Sequence, residues 1–220
     1  LTTAFNVFLG SNIFPGTGIA NTIVGDDTFR ASVGKTGSNN SGFGYNTLIA
    51  LTSGAQNSVF GSSAAIALTT ANNLCAFGSS AAQVLTTGLN VSVFGSSSYK
   101  GNASDISVFG TNSFTATMTG QYNSGLGSEL GQNITSGARN SIIGSSAGNG
   151  LVLGSRNQIW GVSAGTTGDF SDCVIIGDSA SATASNQCLI GSANQNINEF
   201  YLGRGVTAAV PGSVTINATG

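Results

Sequence analysis

The sequence predicts an all-β fold, a parallel β-solenoid in which each coil, or rung, has about 17 residues. A five-residue motif, NSVFG at Asn57–Gly61, recurs along the 220 residues. A fixed period this short indicates a coil that stacks on itself. Frequent β-branched, Ser, Asn and Gly residues disfavour helices. The glycines that close the repeats, with spacings of 17 residues on either side of one shorter step, are Gly61, Gly78, Gly95, Gly110, Gly127, Gly144 and Gly161.

Each rung is predicted to contain a strand, a glycine turn, a second short strand around Leu68–Thr70 and a second glycine turn. Glycine at both corners fits positive φ or a close backbone approach. Copies of the strand one rung apart would pair in parallel, so twelve steps from Gly10 to Gly203 predict a rod roughly 60 Å long at about 4.8 Å per rung. Side chains of one column are expected to bond to each other along the axis: Asn40, Asn57, Asn123, Asn140 and Asn157.

The strand motif predicts two apolar faces. Val59 and Phe60 are adjacent, so they point to opposite sides of the strand. One face fills the roll, and the other must be covered as well, most simply by further copies of the chain. The sequence therefore predicts self-association. The residues before the first strand glycines of the regular repeat include Phe60, Phe77, Phe94 and Phe109.

The repeat divides the chain into four segments. Residues 1–44 form irregular first rungs, residues 44–161 form the regular β-roll, and residues 161–203 form shortened rungs. Residues 204–220 lack the repeat and are expected to connect to a following segment. Because the first repeat begins without the polar cap that solenoid ends usually need, we expect the sequence to be part of a longer chain.

The composition argues against several functions. Charged residues make up 6% of the chain, the net charge is −2 and histidine is absent. Without a basic cluster, nucleic acid and anionic membranes are unfavoured partners, and no apolar run is long enough for membrane insertion. A serine triad would lack its base. We expect no enzymatic activity, no cofactor and no bound metal.

Two other chemistries remain as alternatives. A carboxylate pair could hydrolyse glycosides, although aspartates between glycines are more typical of turns. Stacked threonines raise an ice-binding alternative, but the column does not continue at Ala103. The aspartates are Asp26, Asp27, Asp169, Asp172 and Asp178, and the threonines are Thr52, Thr69 and Thr86.

Three larger side chains interrupt columns of small residues just after the glycine turn. Tyr99, Lys100 and Phe114 are candidate glycan contacts, because aromatic rings suit the faces of sugars. Packing at a seam between chains is the favoured alternative for the same three residues.

The motifs resemble two families of extracellular fibres. NSVFG and NSIIG resemble the head repeat of YadA-like trimeric autotransporter adhesins. LTTGLN at Leu85–Asn90 is similar to repeats of bacteriophage and other viral tail fibres, and Phe200–Gly220 resembles segments that close such repeats. The resemblance implies a left-handed β-roll that assembles as a homotrimer outside the cell or on the virion.

The differences from the adhesin favour the fibre. The rungs are longer than those of the YadA-like head, and no neck, stalk or anchor motif is visible. We therefore expect a structural and adhesive module of a viral tail fibre that presents or forms a glycan-binding surface for host attachment. The alternative is the head of a bacterial trimeric adhesin at the cell surface. A tailspike whose active site lies in a neighbouring domain is a lesser alternative.

Overall fold

The computed structural model describes residues 5–13, 16–30 and 34–192, and it confirms the predicted β-solenoid. Twelve strands form one parallel sheet, and the described residues contain no helix. Each strand pairs in register with its copy one rung away, as Phe60 does with Phe77. Twelve strands make eleven steps, or a length of about 53 Å at about 4.8 Å per step. The predicted final step to Gly203 lies outside the described residues.

The main sheet contains one strand from each rung, and two small sheets flank it. Its strands are β1 (Val7–Leu9), β2 (Thr22–Val24), β3 (Ser41–Phe43), β4 (Ser58–Phe60), β5 (Asn72–Phe77), β6 (Leu89–Phe94), β8 (Ile106–Phe109), β10 (Ser124–Leu126), β11 (Ser141–Ile143), β12 (Gln158–Trp160), β14 (Val174–Ile176) and β16 (Cys188–Ile190). The paired short strands are β7 (Lys100–Gly101) with β9 (Thr117–Met118), and β13 (Gly165–Thr166) with β15 (Ser181–Ala182).

The second strand predicted around Leu68–Thr70 is wrong. The chain there follows turns and bends, although its backbone still bonds between rungs, with the Thr52 N–H donating to the Thr69 carbonyl at 3.0 Å. Left-handed residues precede this stretch, with φ of 57° at Ser63 and 47° at Ala65. They curve the chain within a few residues. The same left-handed pattern at Tyr99 and Phe114 is followed by β7 and β9, so the predicted second strand forms in some rungs only.

The core lies between the strands and these turns. Val59 on the strand and Leu68 on the turn are both fully buried. The alternation predicted for the strand is confirmed, with the valine side filling the roll. The fully buried turn column contains Leu51, Leu68, Leu85, Met118, Ile134 and Leu151.

The two glycine corners meet different demands. Gly61 has a φ of 142°, and a Cβ there would also lie 2.3 Å from the Gly78 carbonyl oxygen. Gly54, at the second corner, is not left-handed, but its Cβ would lie 2.3 Å from the Ala71 carbonyl oxygen. The first corner therefore requires glycine for both predicted reasons. At the second corner Gly54 has no room for a Cβ unless the backbone shifts, whereas other rungs carry Ala71 and Ala103 there.

The predicted asparagine bonding is confirmed. Asn57 Nδ2 donates to Asn40 Oδ1 at 2.9 Å and to the Ala71 carbonyl at 3.0 Å. Asn140 Nδ2 donates to Asn123 Oδ1 at 3.1 Å in the same way. These side chains are buried, so the bonds satisfy amides that would otherwise destabilise the core. Apolar residues interrupt the column in three consecutive rungs, at Leu74, Val91 and Ile106.

The predicted segment boundaries do not interrupt the sheet. The strands on either side of residues 44 and 161 pair directly, β3 with β4 and β12 with β14. The irregular, regular and shortened rungs that the structure describes thus form one continuous solenoid. The connector predicted at residues 204–220 lies outside the described residues.

Candidate interaction surface

The outer face of the main sheet carries a continuous row of apolar side chains. It consists of the residue before each strand glycine, which points away from the core. We call this row the outer column: Leu9, Val24, Phe43, Phe60, Phe77, Phe94, Phe109, Leu126, Ile143, Trp160, Ile176 and Ile190. Leu202, the next residue of this pattern, lies outside the described residues.

Five phenylalanines of the outer column form a stack. Their ring centroids are 4.6 to 5.0 Å apart, and neighbouring planes differ by 2° to 8°. In-register pairing fixes this spacing, because each ring stands one strand above the last. From Phe43 to Phe94 the side chains are half-buried, because the rings cover one another's faces. The stack ends at Phe109, which is 45% exposed.

Beyond Phe109 the outer column consists of aliphatic side chains and Trp160, and several of them are more exposed than the phenylalanines from Phe43 to Phe94. Leu126 is 56% exposed, Ile143 41% and Trp160 42%. Leaving large apolar side chains wet on successive rungs produces the kind of patch that marks an association surface. Nothing else within the described chain covers this stripe.

A shallow groove lies where the phenylalanine stack ends. Its volume is about 200 Å³, below the roughly 300–1,000 Å³ typical of small-molecule sites. One side is apolar and the other carries hydroxyl groups. The groove is of a size to accept an apolar side chain from another molecule. It is lined by Phe109, Leu126, Ile143, Ser107, Ser124 and Ser141, with Gly125 and Ile142 at its base.

The predicted structural repeat residues occupy four kinds of position. Asn57 lies in the buried asparagine column, Val59 lies in the core, and Phe60 and its equivalents lie in the outer column. The closing glycines all have φ between 135° and 150°. They are Gly61, Gly78, Gly95, Gly110, Gly127, Gly144 and Gly161.

The candidate glycan contacts are wrong for two of the three residues. Tyr99 and Phe114 are fully buried, so their rings cannot contact a sugar or a neighbouring chain. The Tyr99 hydroxyl donates to the Ala103 carbonyl at 2.7 Å. Lys100 is half-buried in β7. The three residues therefore do not form a common surface.

Phe114 is buried because its neighbours are small. A Cβ on Gly131 would lie 2.4 Å from the Phe114 ring, and one on Gly125 would lie 3.1 Å from it. The ring occupies the space that these two glycines leave. The sequence does carry this signal, because Gly131 follows Phe114 by one 17-residue period.

The carboxylates of the second half have protein partners. Asp172 binds Arg156 through both oxygens, at 2.5 and 2.6 Å. Hydrogen bonding to Arg156 and its positive charge together hold the Asp172 pKa below its ordinary value. Asp169 Oδ1 accepts the backbone N–H groups of Val152 and Leu153, both at 2.7 Å. These contacts are those of structural residues at turns.

The described residues offer little support for metal binding or for the ice-binding alternative. No group of three or more Cys, Asp or Glu side chains there could hold a metal ion. Thr52 and Thr69 donate their hydroxyls to carbonyls of the next rung, at 3.1 and 3.2 Å. The Thr86 hydroxyl donates to Asn102 Oδ1 at 2.9 Å, so the threonine array ends after three rungs.

Comparison with known proteins gives no family, so the chain is classified by its fold alone. No family model and no curated protein matches the chain. The described residues include no helix able to cross a membrane. The chain is therefore a parallel β-solenoid with an uncovered apolar stripe, and its resemblance to fibre and adhesin repeats stays a prediction.

Proposed function

We propose that the chain is a structural and adhesive module of a viral tail fibre, in which copies of the chain associate through the outer column. The observation that carries this proposal is the row of apolar side chains along the whole described sheet. Fully burying a half-exposed Leu or Ile contributes about 1 kcal/mol, and the contribution recurs on each rung. The repeat's resemblance to trimeric fibre proteins supplies the number of copies, three.

The groove beside Phe109 favours self-association over small-molecule binding. Its apolar wall is formed by Leu126 and Ile143, two of the more exposed members of the outer column. A neighbouring copy presents aliphatic and aromatic side chains at the same spacing, one per rung, so the two stripes can interdigitate along the axis. Association in register would bury the wet half of each side chain.

The test is the mass of the assembly in solution. We expect sedimentation equilibrium to give a trimer for the unaltered chain. The double variant Leu126→Lys with Ile143→Lys places two charges in the stripe and should give monomers. A matched variant, Ser136→Lys with Leu153→Lys, places two charges on the turn side of the same region. Because Leu153 is also 56% exposed, it controls for the loss of an exposed leucine and should stay trimeric.

Two outcomes would contradict the proposal. A soluble monomer of the unaltered chain at micromolar concentration would mean that the stripe does not drive association. Equal masses for the two double variants would place the interface elsewhere. Electron microscopy of the full-length assembly would separate the biological settings, because it would show a virion fibre or, for the adhesin alternative, a projection from a bacterial surface.

A further inference from the structure

A second exposed row runs along the corner that precedes the strands. Every residue of this corner column is left-handed, with φ between 54° and 61°. Backbone bonds hold successive members one rung apart, with the Arg139 N–H donating to the Gln121 carbonyl at 3.0 Å and the Arg156 N–H to the Ala138 carbonyl at 2.9 Å. The column contains Gln56, Asn73, Asn90, Asp105, Tyr122, Arg139, Arg156 and Asp172.

Most polar members of the corner column bind one another. Asn73 Nδ2 donates to Asn90 Oδ1 at 3.0 Å, and Asn90 Nδ2 donates to Asp105 Oδ1 at 2.9 Å. At the other end, Arg156 and Asp172 form the bidentate pair described above. The charges at both ends thus have partners within the column.

Arg139, between these pairs, is bound differently. Its guanidinium carbon lies 5.5 Å from the centroid of the Tyr122 ring, one rung away. The ion pairs of the described residues join other arginines, Arg30 with Asp27 and Arg156 with Asp172. A cation–π contact of this kind does not use the N–H groups of the guanidinium as hydrogen-bond donors, so they remain able to bind other acceptors. Those groups match the two oxygens of a carboxylate or sulfate.

We propose that Arg139 and Tyr122 form a binding site for the carboxylate or sulfate group of an acidic saccharide. Tyr122 is 53% exposed, so its ring edge and hydroxyl are open to the same ligand. Gln121, next to it in the chain, is exposed as well and offers an amide to sugar hydroxyl groups. The site deepens the adhesive part of the proposed function and rests on it.

The surrounding charge selects a small anion over a polyanion. Arg156 is neutralised by Asp172, and Asp105 adds a negative charge on the opposite side of Tyr122. With a net charge of −2 over 220 residues, the chain lacks the basic surface that nucleic acid or an anionic membrane requires. A ligand with one anionic group and several hydroxyls fits the combination of one guanidinium, an aromatic ring and neutral hydrogen-bonding groups.

The proposal is tested by titrating the assembled protein with three oligosaccharides, followed by calorimetry. Sialyllactose carries one carboxylate, sulfated lactose carries one sulfate, and lactose is neutral. We expect at least one acidic sugar to bind at least tenfold more tightly than the neutral one, with affinity falling as salt is raised. The two acidic arms show which anionic group is preferred.

The variants use residues that the corner already tolerates. Asparagine occurs there at Asn73 and Asn90, so Arg139→Asn and Tyr122→Asn keep a side chain compatible with left-handed backbone. Each should weaken acidic-sugar binding at least tenfold. Arg139→Lys should also weaken it, because the ammonium lacks the planar fork. Gln56→Asn, in the same column several rungs away, should leave affinity unchanged.

Sedimentation and circular dichroism of each variant separate this site from the fibre proposal. A variant that stays trimeric and folded but loses sugar binding supports the site. Undiminished binding by Arg139→Asn, equal affinity for the neutral sugar, or the absence of binding to every probe would overturn it. Equally tight binding of oligoglutamate would overturn the assignment to saccharides. A monomeric unaltered chain that still binds acidic sugar would count against the fibre proposal alone.

Discussion

Rungs that carry asparagine before the strand differ from the three central rungs that carry an apolar residue there. In the asparagine rungs the strand has three residues, as in Ser58–Phe60 and Ser141–Ile143. In the central rungs it is longer, with six residues in Asn72–Phe77 and Leu89–Phe94 and four in Ile106–Phe109. The inner and outer faces are otherwise alike, so the difference lies at the corner.

The asparagine side chain replaces a main-chain partner. The backbone N–H of Asn57 donates to Asn40 Oδ1 at 3.1 Å, and that of Asn140 donates to Asn123 Oδ1 at 3.0 Å. Where the side chain is apolar, the backbones pair directly, and Leu74 aligns with Val91. The solenoid therefore builds the same corner in two ways, with a buried amide ladder or with an extended strand over an apolar core.

The two corners distribute their stability differently. Each asparagine in the ladder serves the rungs on both sides, so removal of one leaves groups in both without partners. An apolar residue contributes through burial and packing, which a residue of similar size can largely replace. We therefore expect the asparagine rungs to lose stability when the amide is replaced by a group that cannot make the same hydrogen bonds. We expect the central rungs to lose stability when their apolar residue is replaced by a polar one.

The largest expected effect is that of Asn140→Leu. The substitution leaves the Gly154 carbonyl and the backbone N–H of Asn157 without the partners that Asn140 supplies in a buried column. Asn123 Oδ1 keeps the backbone N–H of residue 140, and Asn157 Nδ2 keeps the Phe170 carbonyl. Each buried unsatisfied group costs about 1–3 kcal/mol, so the loss of two partners should lower the free energy of unfolding by about 2–6 kcal/mol. Denaturant unfolding followed by circular dichroism, at one protein concentration, measures this. The exposed Asn133→Ala should cost less than 1 kcal/mol, and equal costs for the two variants would contradict the ladder's role.

Much of this comparison follows from the sequence. The period, the strand positions and the opposite directions of Val59 and Phe60 depend only on spacing and alternation, and the structure confirms them. The bonding of Asn40 to Asn57 follows from identical residues stacking in register. These features repeat, so a single rung predicts the others.

What the sequence did not predict depends on contacts between unlike rungs or on local backbone. The left-handed φ of Ala65 carries no signal in its side chain. The repeat motif also does not show why the second strand forms at Thr117–Met118 and not at Leu68–Thr70. The burial of Phe114 depends on Gly131, one rung away. Comparing each column one residue at a time does not show that a large residue in one rung is matched by a glycine in the next. The contact between the exposed Tyr122 and Arg139 was not predicted, because the two residues come from different rungs.

A second prediction tests whether an asparagine needs an asparagine neighbour. Leu74→Asn would extend the ladder, because its Nδ2 could donate to Asn57 Oδ1, which already accepts the Leu74 N–H at 3.0 Å. Val91→Asn would place the same amide between Leu74 and Ile106, where no ladder exists. We expect Val91→Asn to cost about 1–3 kcal/mol and Leu74→Asn to cost less.

The double variant sharpens this test. Adding Leu74→Asn to Val91→Asn supplies the missing neighbour, so the double variant should lose less stability than the sum of the single variants. The measurement is the same denaturant unfolding. If the stability losses of the two single variants simply add up in the double variant, neighbouring asparagines do not support one another. The two kinds of corner would then differ only in the polarity of their side chains.

The smallest expected effect concerns Tyr99, whose phenol is buried in the central rungs. Burial raises the pKa of Tyr99 well above its ordinary value of 10.0, so the unfolded chain ionises there while the folded chain stays neutral. This contribution to stability is fully present below pH 10 and is lost as the pH rises further, by about 1.4 kcal/mol per pH unit at most.

Tyr99→Phe removes the hydrogen bond to Ala103 and should cost about 1 kcal/mol at pH 7. Because phenylalanine cannot ionise, the difference between the variant and the unaltered chain should shrink above pH 10. Denaturant unfolding between pH 7 and pH 11 checks this, with the exposed Tyr45→Phe as a control that should follow the unaltered chain. Parallel pH profiles for Tyr99→Phe and the unaltered chain would show that the buried phenol does not contribute to alkaline unfolding.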